Sequence, residues 1–277
     1  MSPSSARGAI DLHCHTTASD GAHAPAEVVR LAHAAGVGVL AITDHDTVAA
    51  VEEAADAARP LGLRIVPGVE ISARLGDKEI HVLGHFVDPA EPRLLSSLAD
   101  FGRRRRERAE RMVEQLRAHG APLPLDEVLG GEGSVGRPHL ARLLIAHGHA
   151  RDFREAFDRW LGKGKPGWVD RSMPAAQDAI ALIRGAGGAA SLAHPRLSKV
   201  GGEELVALAR AGLSGVEVDH PRQDGDARRT LRLAASSLGL EATAGSDFHE
   251  APEAPGLESM DSEAFRRYEA TVGKRGV

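Results

Sequence analysis

The sequence predicts an α/β fold with a repeated βα arrangement, a mostly parallel sheet and one helical insertion. Short apolar runs rich in Val, Ile and Leu alternate with longer segments of helical pattern, which is typical of this class. The stretch from about Glu91 to Lys165 interrupts the alternation, because it is helical in pattern and lacks a convincing strand. Polar residues capable of metal binding follow the apolar runs, as they do at the carboxyl ends of strands in parallel barrels.

The apolar runs and the segments between them give the elements in order. The predicted strands are Ala9 to Leu12, Val37 to Ile42, Leu63 to Ile71, Glu79 to Val87, Gly188 to Ala193, Gly215 to Val218 and Glu241 to Ala244. The predicted helices are Pro25 to Ala35, Val48 to Leu61, Pro174 to Ala186, Glu203 to Ala211 and Asp226 to Leu238. Pro25 suits a first helical turn, and Gly36, Gly62 and Gly212 suit helix ends.

The interruption of the alternation sets the predicted domain organisation. Residues 1–95 form the first part of the sheet domain, residues 96–165 form a small helical insertion, and residues 166–277 complete the sheet domain. Beyond Asp247 the chain becomes acidic and contains prolines, so a surface loop and a last helix are expected there.

Composition narrows the class of protein. The 277 residues are 42% hydrophobic and 26% charged, which is typical of a globular chain. A net charge of -5 disfavours a surface that coats nucleic acid by neutralising phosphates. The single cysteine, Cys14, excludes an internal disulfide and a thiolate zinc site, while 14 histidines are present. No apolar signal core or membrane span is apparent, so we expect a cytoplasmic protein.

The histidines and carboxylates are concentrated where the predicted strands end. Each has an ordinary interpretation on its own: Asp20 before Gly21 suits a turn, and His81 suits a satisfied core histidine. Glu70 is harder to explain, because an unpaired carboxylate in an apolar strand is costly. Taken together the group favours metal binding. The candidate metal ligands are His13, His15, Asp20, His45, Glu70, His81, His194, Asp247 and His249.

These side chains predict the kind and number of ions. Imidazole nitrogens mixed with carboxylates suit Mn, Fe or Zn, whereas an oxygen-only set would suit Mg or Ca. Six histidines and three carboxylates are too many for one ion. We therefore expect two or three divalent ions that share bridging ligands, and Glu70 is the candidate bridge.

Clustered divalent ions predict hydrolysis of a phosphate ester by a metal-bridging hydroxide. The candidate catalytic residues are Asp20, Glu70, His194 and His220. Protonation of the leaving group could come from His220 or from a metal-bound water. The insertion offers groups for the remaining phosphate oxygens, although solvated surface charge is the ordinary alternative for them. These candidate substrate-binding residues are Arg137, His139, Lys163 and Lys165.

Six motifs in order resemble the PHP superfamily, named for polymerase and histidinol phosphatase. They are LHCHTTASDG (12–21), ITDHDT (42–47), GVEIS (68–72), EIHVLG (79–84), LAHP (192–195) and GSDFH (245–249). The resemblance implies a distorted seven-stranded (β/α)7 barrel with a trinuclear metal centre. It also implies that the nine residues named above are the metal ligands.

The insertion, with its GRPHLAR and GKGKPGWV stretches, is similar to one branch of that superfamily. That branch contains nucleoside 3',5'-bisphosphate phosphatases, some of which also act as 5' to 3' exoribonucleases on short RNA. The resemblance implies that the insertion closes over the site and that Arg137, His139 and Lys165 contact phosphate. The expected partners are a small phosphorylated nucleotide and short single-stranded RNA, with no membrane and no obligate protein partner.

Two alternative functions remain open from the sequence. One is a histidinol-phosphate phosphatase or another small-molecule phosphomonoesterase. The other is a stand-alone, non-catalytic PHP module, which is disfavoured because no ligand position is lost and no polymerase domain follows. The basic helical insertion favours a substrate with more than one phosphate.

Overall fold

The computed structural model describes residues 8–130 and 135–272 of the chain, in two compact units. The first unit comprises Met1–Ser97 and Met173–Val277, and the second comprises Leu98–Ser172. The second unit overlaps the stretch 96–165 that was predicted as an insertion and extends beyond Lys165 to Ser172, and Val169 packs against its core.

The first unit contains a seven-stranded sheet whose order follows the chain, β1-β2-β3-β4-β5-β6-β7. The strands are β1 (Ala9–Asp11), β2 (Val37–Ile42), β3 (Arg64–Leu75), β4 (Lys78–His85), β5 (Ala189–Leu192), β6 (Gly215–Asp219) and β7 (Glu241–Ala244). Strands β1–β2, β2–β3, β5–β6 and β6–β7 pair in parallel, which confirms the predicted α/β class with a mostly parallel sheet.

Strand β4 runs antiparallel to both of its neighbours. Leu75 pairs with Lys78, so β3 and β4 form a hairpin joined by Gly76 and Asp77, and Gly76 adopts the left-handed conformation with φ 57°. The (β/α)7 alternation expected from the resemblance therefore does not hold between β3 and β4. A tight turn containing glycine reverses the chain there, and a helical crossover would be needed only for a parallel pair.

The helices of the first unit are α1 (Pro25–Ala34), α2 (Val51–Ala58), α7 (Ala176–Gly185), α8 (Gly202–Arg210), α9 (Gly225–Leu238) and α10 (Ser262–Glu269). Helices α1, α2, α8 and α9 connect parallel strands, whereas α7 precedes β5 and α10 follows β7. The helix predicted from Val48 to Leu61 is shorter, because it begins at Val51 and its last turn, Arg59–Leu61, is a 3-10 helix that ends at left-handed Gly62.

The second unit is helical. Its elements are α3 (Pro92–Ala118, which begins before the unit boundary), α4 (Leu125–Leu129), α5 (Arg137–Ala146), α6 (Phe153–Glu155) and a π-helical segment, Ala156–Leu161. Leu116, Leu140, Leu144 and Trp160 are buried together in its core. In the described ranges, no helix has the length and apolar character needed to cross a membrane.

Strand β2 packs against apolar clusters on both of its faces, because successive residues of a strand point to opposite sides. In β2, Leu40 and Ile42 pack with Val28 of α1, whereas Val39 and Ala41 pack in the cluster that contains Tyr268 of α10. Apolar residues therefore cover both faces of β2, which is typical of a strand in a parallel sheet.

Candidate metal centre

The nine predicted ligands lie at one edge of the sheet. His13 follows β1, His45 follows β2, His194 follows β5 and Asp247 follows β7, so the carboxyl ends of the parallel strands bring them together. His81 lies within the fourth strand, as predicted. It is in the amino-terminal half of β4 and pairs with Ser72 of β3, and the reversed direction of β4 brings it to the same edge.

Glu70 lies at the centre of this group and is only 1% exposed. Its Oε1 is 2.9 Å from His81 Nδ1 and 3.1 Å from His194 Nε2. Its Oε2 is 3.0 Å from His45 Nδ1 and 3.4 Å from His15 Nε2. The two oxygens therefore serve two different sets of imidazoles, which is the arrangement a bridging carboxylate needs.

Asp247 and Asp20 extend the group on the side of His15. Asp247 Oδ1 is 3.2 Å from His15 Nε2 and 3.3 Å from His13 Nε2. Asp20 Oδ1 is 3.2 Å from His249 Nε2. Asp247 has φ 53° and His194 has φ 27°, a region that residues other than glycine rarely adopt. Such backbone strain is often concentrated at functional sites.

Three overlapping sets of donor atoms in the described residues have metal-binding geometry, with all donor atoms of a set within 4.8 Å of one another. The sets are His15, Asp20, His45 and His249; His13, His15 and Asp247; and His45, Glu70 and His81. His194 joins them through Glu70. The donors are nitrogen and carboxylate oxygen, which fits divalent Mn, Fe or Zn. The residues present therefore fit a metal centre.

The electrostatics of the group keep its carboxylates ionised. Burial raises the pKa of Glu70, but the charges of His45, His81 and His13 outweigh burial and leave the pKa well below its usual value. Burial opposes the protonation of His249, yet the hydrogen bond and charge of Asp20 raise its pKa to about 9. Buried carboxylates held in ionised form favour a cation beside them.

Further buried carboxylates fix the loops that carry the ligands. Asp44 accepts hydrogen bonds from the Thr16 backbone N–H and hydroxyl at 2.8 Å each. Asp11 accepts from the backbone N–H groups of His13 at 3.2 Å and Ser246 at 3.0 Å. These contacts order the loop after β1 on one side and the loop after β7 on the other.

His220, a candidate catalytic residue, contacts the group, whereas its neighbour Asp219 has a different partner. His220 is buried, with Nε2 3.3 Å from Asp247 Oδ2 and Nδ1 accepting from the Arg222 backbone N–H at 3.0 Å. Asp219 is the last residue of β6 and pairs with Arg232 at 2.8 and 2.7 Å. Cys14 is buried, with Sγ 3.4 Å from Asp11 Oδ2.

The four predicted substrate-binding residues all lie in the second unit. The Arg137 guanidinium lies over the rings of Trp168 at 5.1 Å and Phe157 at 5.9 Å. His139 Nε2 is 3.4 Å from the Glu127 carbonyl oxygen. Lys163 and Lys165 are exposed. Their role toward a substrate remains a prediction.

Sequence reasoning did not find Glu217. This residue is 1% exposed in β6 and contacts both His13 and His194. The signal was available in GVEVD, because an acidic residue within a buried strand needs a partner, as it does at Glu70.

Comparison with known proteins agrees with the site. The model of a family described as PHP domain matches residues 11–163. The chain belongs to the PHP family. This PHP protein is 38% identical over 259 residues to the 3',5'-nucleoside bisphosphate phosphatase of Chromobacterium violaceum, over 91% of this chain and 90% of the relative. It is 38% identical over 248 residues to the 5'-3' exoribonuclease Rnm of Escherichia coli, over 87% of this chain and 85% of the relative.

A solved structure agrees with the family assignment. It is the structure of a Bifidobacterium adolescentis protein that is described as a metal-dependent phosphoesterase. The TM-score is 0.87 at 33% identity, over 94% of this chain and 95% of the other. The resemblance to PHP proteins inferred from the sequence motifs is confirmed.

Proposed function

We propose that this PHP protein is a metal-dependent phosphoesterase that releases the 3'-phosphate of nucleoside 3',5'-bisphosphates. The observation that carries the proposal is the convergence of six imidazoles and three carboxylates at one sheet edge, centred on Glu70. The substrate is suggested by the Chromobacterium violaceum phosphatase, which is 38% identical over 90% of its length.

Two or three divalent ions of Mn, Fe or Zn are held by the nine candidate ligands under this proposal. Bound ions of this kind lower the pKa of water and stabilise charge on phosphate oxygens. Each carboxylate oxygen of Glu70 lies beside a different candidate ligand, so Glu70 is placed to act as a bridging ligand. Asp20 and His194 complete the group from the loops after β1 and β5.

His220 is the proposed proton donor to the leaving 3'-oxygen. Hydrolysis forms a phosphorus–oxygen bond to water, breaks the bond to the sugar oxygen and requires a proton on that oxygen. The Arg222 backbone N–H occupies His220 Nδ1, so the ring carries its proton on Nε2, the nitrogen nearest Asp247. The attacking water loses a proton as it bonds to phosphorus, and this proton replaces the one that Nε2 gives to the sugar oxygen, so the ring ends neutral.

Arg137, His139, Lys163 and Lys165 are the proposed contacts for the second phosphate of the substrate. Arginine binds phosphate through two parallel hydrogen bonds and lysine acts as a point charge. The two aromatic rings beside Arg137 support its planar guanidinium.

Trimming of short RNA from the 5' end is a second candidate function. The observation that favours it is the 38% identity with an exoribonuclease over 85% of that relative. Both activities hydrolyse a phosphate ester on a ribonucleotide, so one metal centre could serve both.

We also propose that the sheet closes into a distorted barrel. Support comes from hydrogen bonds between the carboxyl ends of β1 and β7: Leu12 N–H donates to Ala244 O at 3.1 Å and Asp247 N–H donates to His13 O at 2.9 Å. An experimental structure with metals bound would test closure and the number of ions together.

A substrate panel tests the proposed activity. The Mn-loaded protein is expected to release phosphate from adenosine 3',5'-bisphosphate much faster than from histidinol phosphate. Adenosine 3'-monophosphate and 5'-monophosphate are the matched controls, and a 5'-phosphorylated short RNA tests the second candidate. Faster turnover of histidinol phosphate would overturn the assignment in favour of the other phosphomonoesterase.

Arg137→Ala tests the proposed phosphate contact. Loss of a charge-assisted hydrogen bond is expected to raise KM for the bisphosphate about tenfold or more. Arg151→Ala is the control, because Arg151 is exposed in the same unit and pairs with Glu155 at 2.7 Å. Equal KM values for the two variants would contradict the contact.

A further inference from the structure

Glu217 is a buried carboxylate that contacts two candidate metal ligands without belonging to any of the donor sets described above. Its Oε1 is 2.9 Å from His13 Nδ1. Its Oε2 accepts the backbone N–H of His194 at 2.7 Å. Both oxygens are therefore occupied by hydrogen-bond donors, one from the residues that follow β1 and one from those that follow β5.

The contact with His13 fixes which ring nitrogen faces the metal group. An ionised carboxylate can only accept, so His13 Nδ1 must carry a hydrogen toward Glu217. The other nitrogen, Nε2, lies 3.1 Å from His15 Nε2 and 3.3 Å from Asp247 Oδ1. A carboxylate that holds one nitrogen of a ligating histidine orients the ring and fixes the tautomer.

The contact with His194 fixes its backbone. His194 has φ 27°, which a residue with a side chain adopts only where its surroundings hold it. Its N–H bond to Glu217 supplies one such constraint, and its Nε2 is then 3.1 Å from Glu70 Oε1. One carboxylate thus positions a ring on one strand end and a peptide on another.

The space for this pair is created by Gly245 at the end of β7. A Cβ atom at that position would lie 2.3 Å from His13 Cβ and 3.0 Å from Glu217 Oε1. Real Cβ atoms do not approach neighbours so closely, so any side chain at Gly245 would displace the His13–Glu217 pair. Three strand ends are therefore built around this contact.

The other buried carboxylates near the site differ from Glu217. Asp44 accepts from the Thr16 and Ser19 hydroxyls and the Thr16 peptide. Asp11 accepts from peptide N–H groups and the Cys14 thiol. In these contacts neither carboxylate meets an imidazole, so they order loops, whereas Glu217 acts on a ligand ring directly.

We propose that Glu217 is the positioning residue of the metal centre, holding His13 so that Nε2 faces the ions and holding His194 in its left-handed conformation. The inference rests on the metal centre of the proposed function. It goes further by assigning a role to a residue that lies behind the ligands.

Metal affinity of Glu217→Gln tests the role. The amide oxygen can accept one of the two hydrogen bonds but the NH2 group cannot accept the other, at nearly unchanged size. Affinity for Zn and Mn, measured by chelator competition, is expected to fall about 10- to 100-fold. Glu217→Asp, which keeps the charge but is shorter, is expected to lose affinity as well.

Glu241→Gln is the matched control, because Glu241 begins β7 and pairs with Arg267 at 3.0 Å. Its metal affinity is expected to equal that of the wild type. Urea unfolding of the metal-free proteins measures whether the substitution also lowers the free energy of unfolding, which a role in packing would do. Unchanged metal affinity in folded Glu217→Gln would overturn the inference. A wild type that binds no divalent ion would overturn the proposed function instead.

Nitrogen NMR of the Zn-loaded wild type tests the same point without relying on a variant that folds. With 15N-labelled histidine, His13 is expected to show a protonated Nδ1 and a metal-bound Nε2. A metal-bound Nδ1 with a protonated Nε2 would contradict the orienting role of Glu217.

Discussion

The first unit contains buried histidines of two kinds, which differ in the atoms that their ring nitrogens contact. His13 and His15 have ring nitrogens 3.1 Å apart that both approach Asp247 Oδ1. His85, in the same strand as His81, donates from Nε2 to the Leu12 carbonyl at 2.7 Å and accepts at Nδ1 from the Tyr268 hydroxyl at 2.9 Å. Each nitrogen of His85 has a neutral partner that satisfies it.

Burial and pKa do not separate His15 from His85. Burial lowers the pKa of His85 to about 4, and burial together with the charge of His249 lowers the pKa of His15 to about 4. The distinction is geometric, because nitrogens that converge on carboxylates and on each other are best satisfied by a shared cation. A buried histidine indicates a metal site only when its nitrogens converge in this way.

Glu70→Gln should give the largest change, because it removes the charge on which the converging imidazoles depend. The variant is expected to lose at least one ion and to hydrolyse the bisphosphate at least about 100-fold more slowly, with the fold retained. Metal content by mass spectrometry, phosphate release and circular dichroism measure the three effects. Full activity with unchanged metal content would contradict the bridging role, and Glu241→Gln is the control.

His220→Gln tests a histidine that touches the metal group but is proposed to act on a proton. Loss of a general acid is expected to lower kcat about 10²- to 10⁴-fold while metal content is retained. The loss should be smaller for p-nitrophenyl phosphate, whose leaving group needs no proton. An equal loss for both substrates would show that His220 instead orients Asp247, which its Nε2 approaches at 3.3 Å.

The sequence indicated which residues lie together better than it indicated the path of the chain between them. Glu70 was identified because an acidic residue in an apolar strand needs a partner. The direction of β4 was not predicted, because β3 continues beyond the apolar run to Leu75 and the turn at Gly76 reverses the chain. Periodicity reports which residues are buried but not the direction in which a strand runs.

Partners distant in the sequence explain the remaining differences. His81 and His85 both occur in the motif EIHVLGH, yet His85 bonds to Tyr268, 183 residues away in α10. Asp219 and His220 are adjacent, yet Asp219 pairs with Arg232 of α9 and His220 contacts Asp247. Local pattern cannot choose between such partners, because they are brought together only by tertiary packing.

His85→Gln should remove part of the pH dependence of stability without affecting the metals. The unfolded His85 takes up a proton near its ordinary pKa of 6.5, whereas the folded ring does so only near pKa 4. Between these values the unfolded state binds more protons, so the free energy of unfolding falls as the pH falls, by about 3 kcal/mol in total. Urea unfolding of the metal-free wild type and variant between about pH 4.5 and 7 measures the difference.

The glutamine variant is therefore expected to lose less stability on acidification than the wild type, although it is less stable near pH 7. Its metal content should equal that of the wild type. Parallel pH profiles for the two proteins would show that His85 is not held neutral by its surroundings. A loss of metal would remove the distinction between His85 and the converging histidines.

His147→Gln should have the smallest effect, because this histidine has a carboxylate partner but little burial. Its Nε2 is 2.8 Å from Glu127 Oε2, and the two side chains are 32% and 47% exposed. Solvent screens an exposed pair, so the change in the free energy of unfolding is expected to be about 0.5 kcal/mol or less and to vanish at high salt. Urea unfolding at low and high salt measures it, with metal content as a second readout. A larger loss of stability would mean that a single carboxylate contact is enough to make a histidine structurally important. A small loss would agree with the view that a histidine matters when it is buried and its nitrogens converge with other donor atoms.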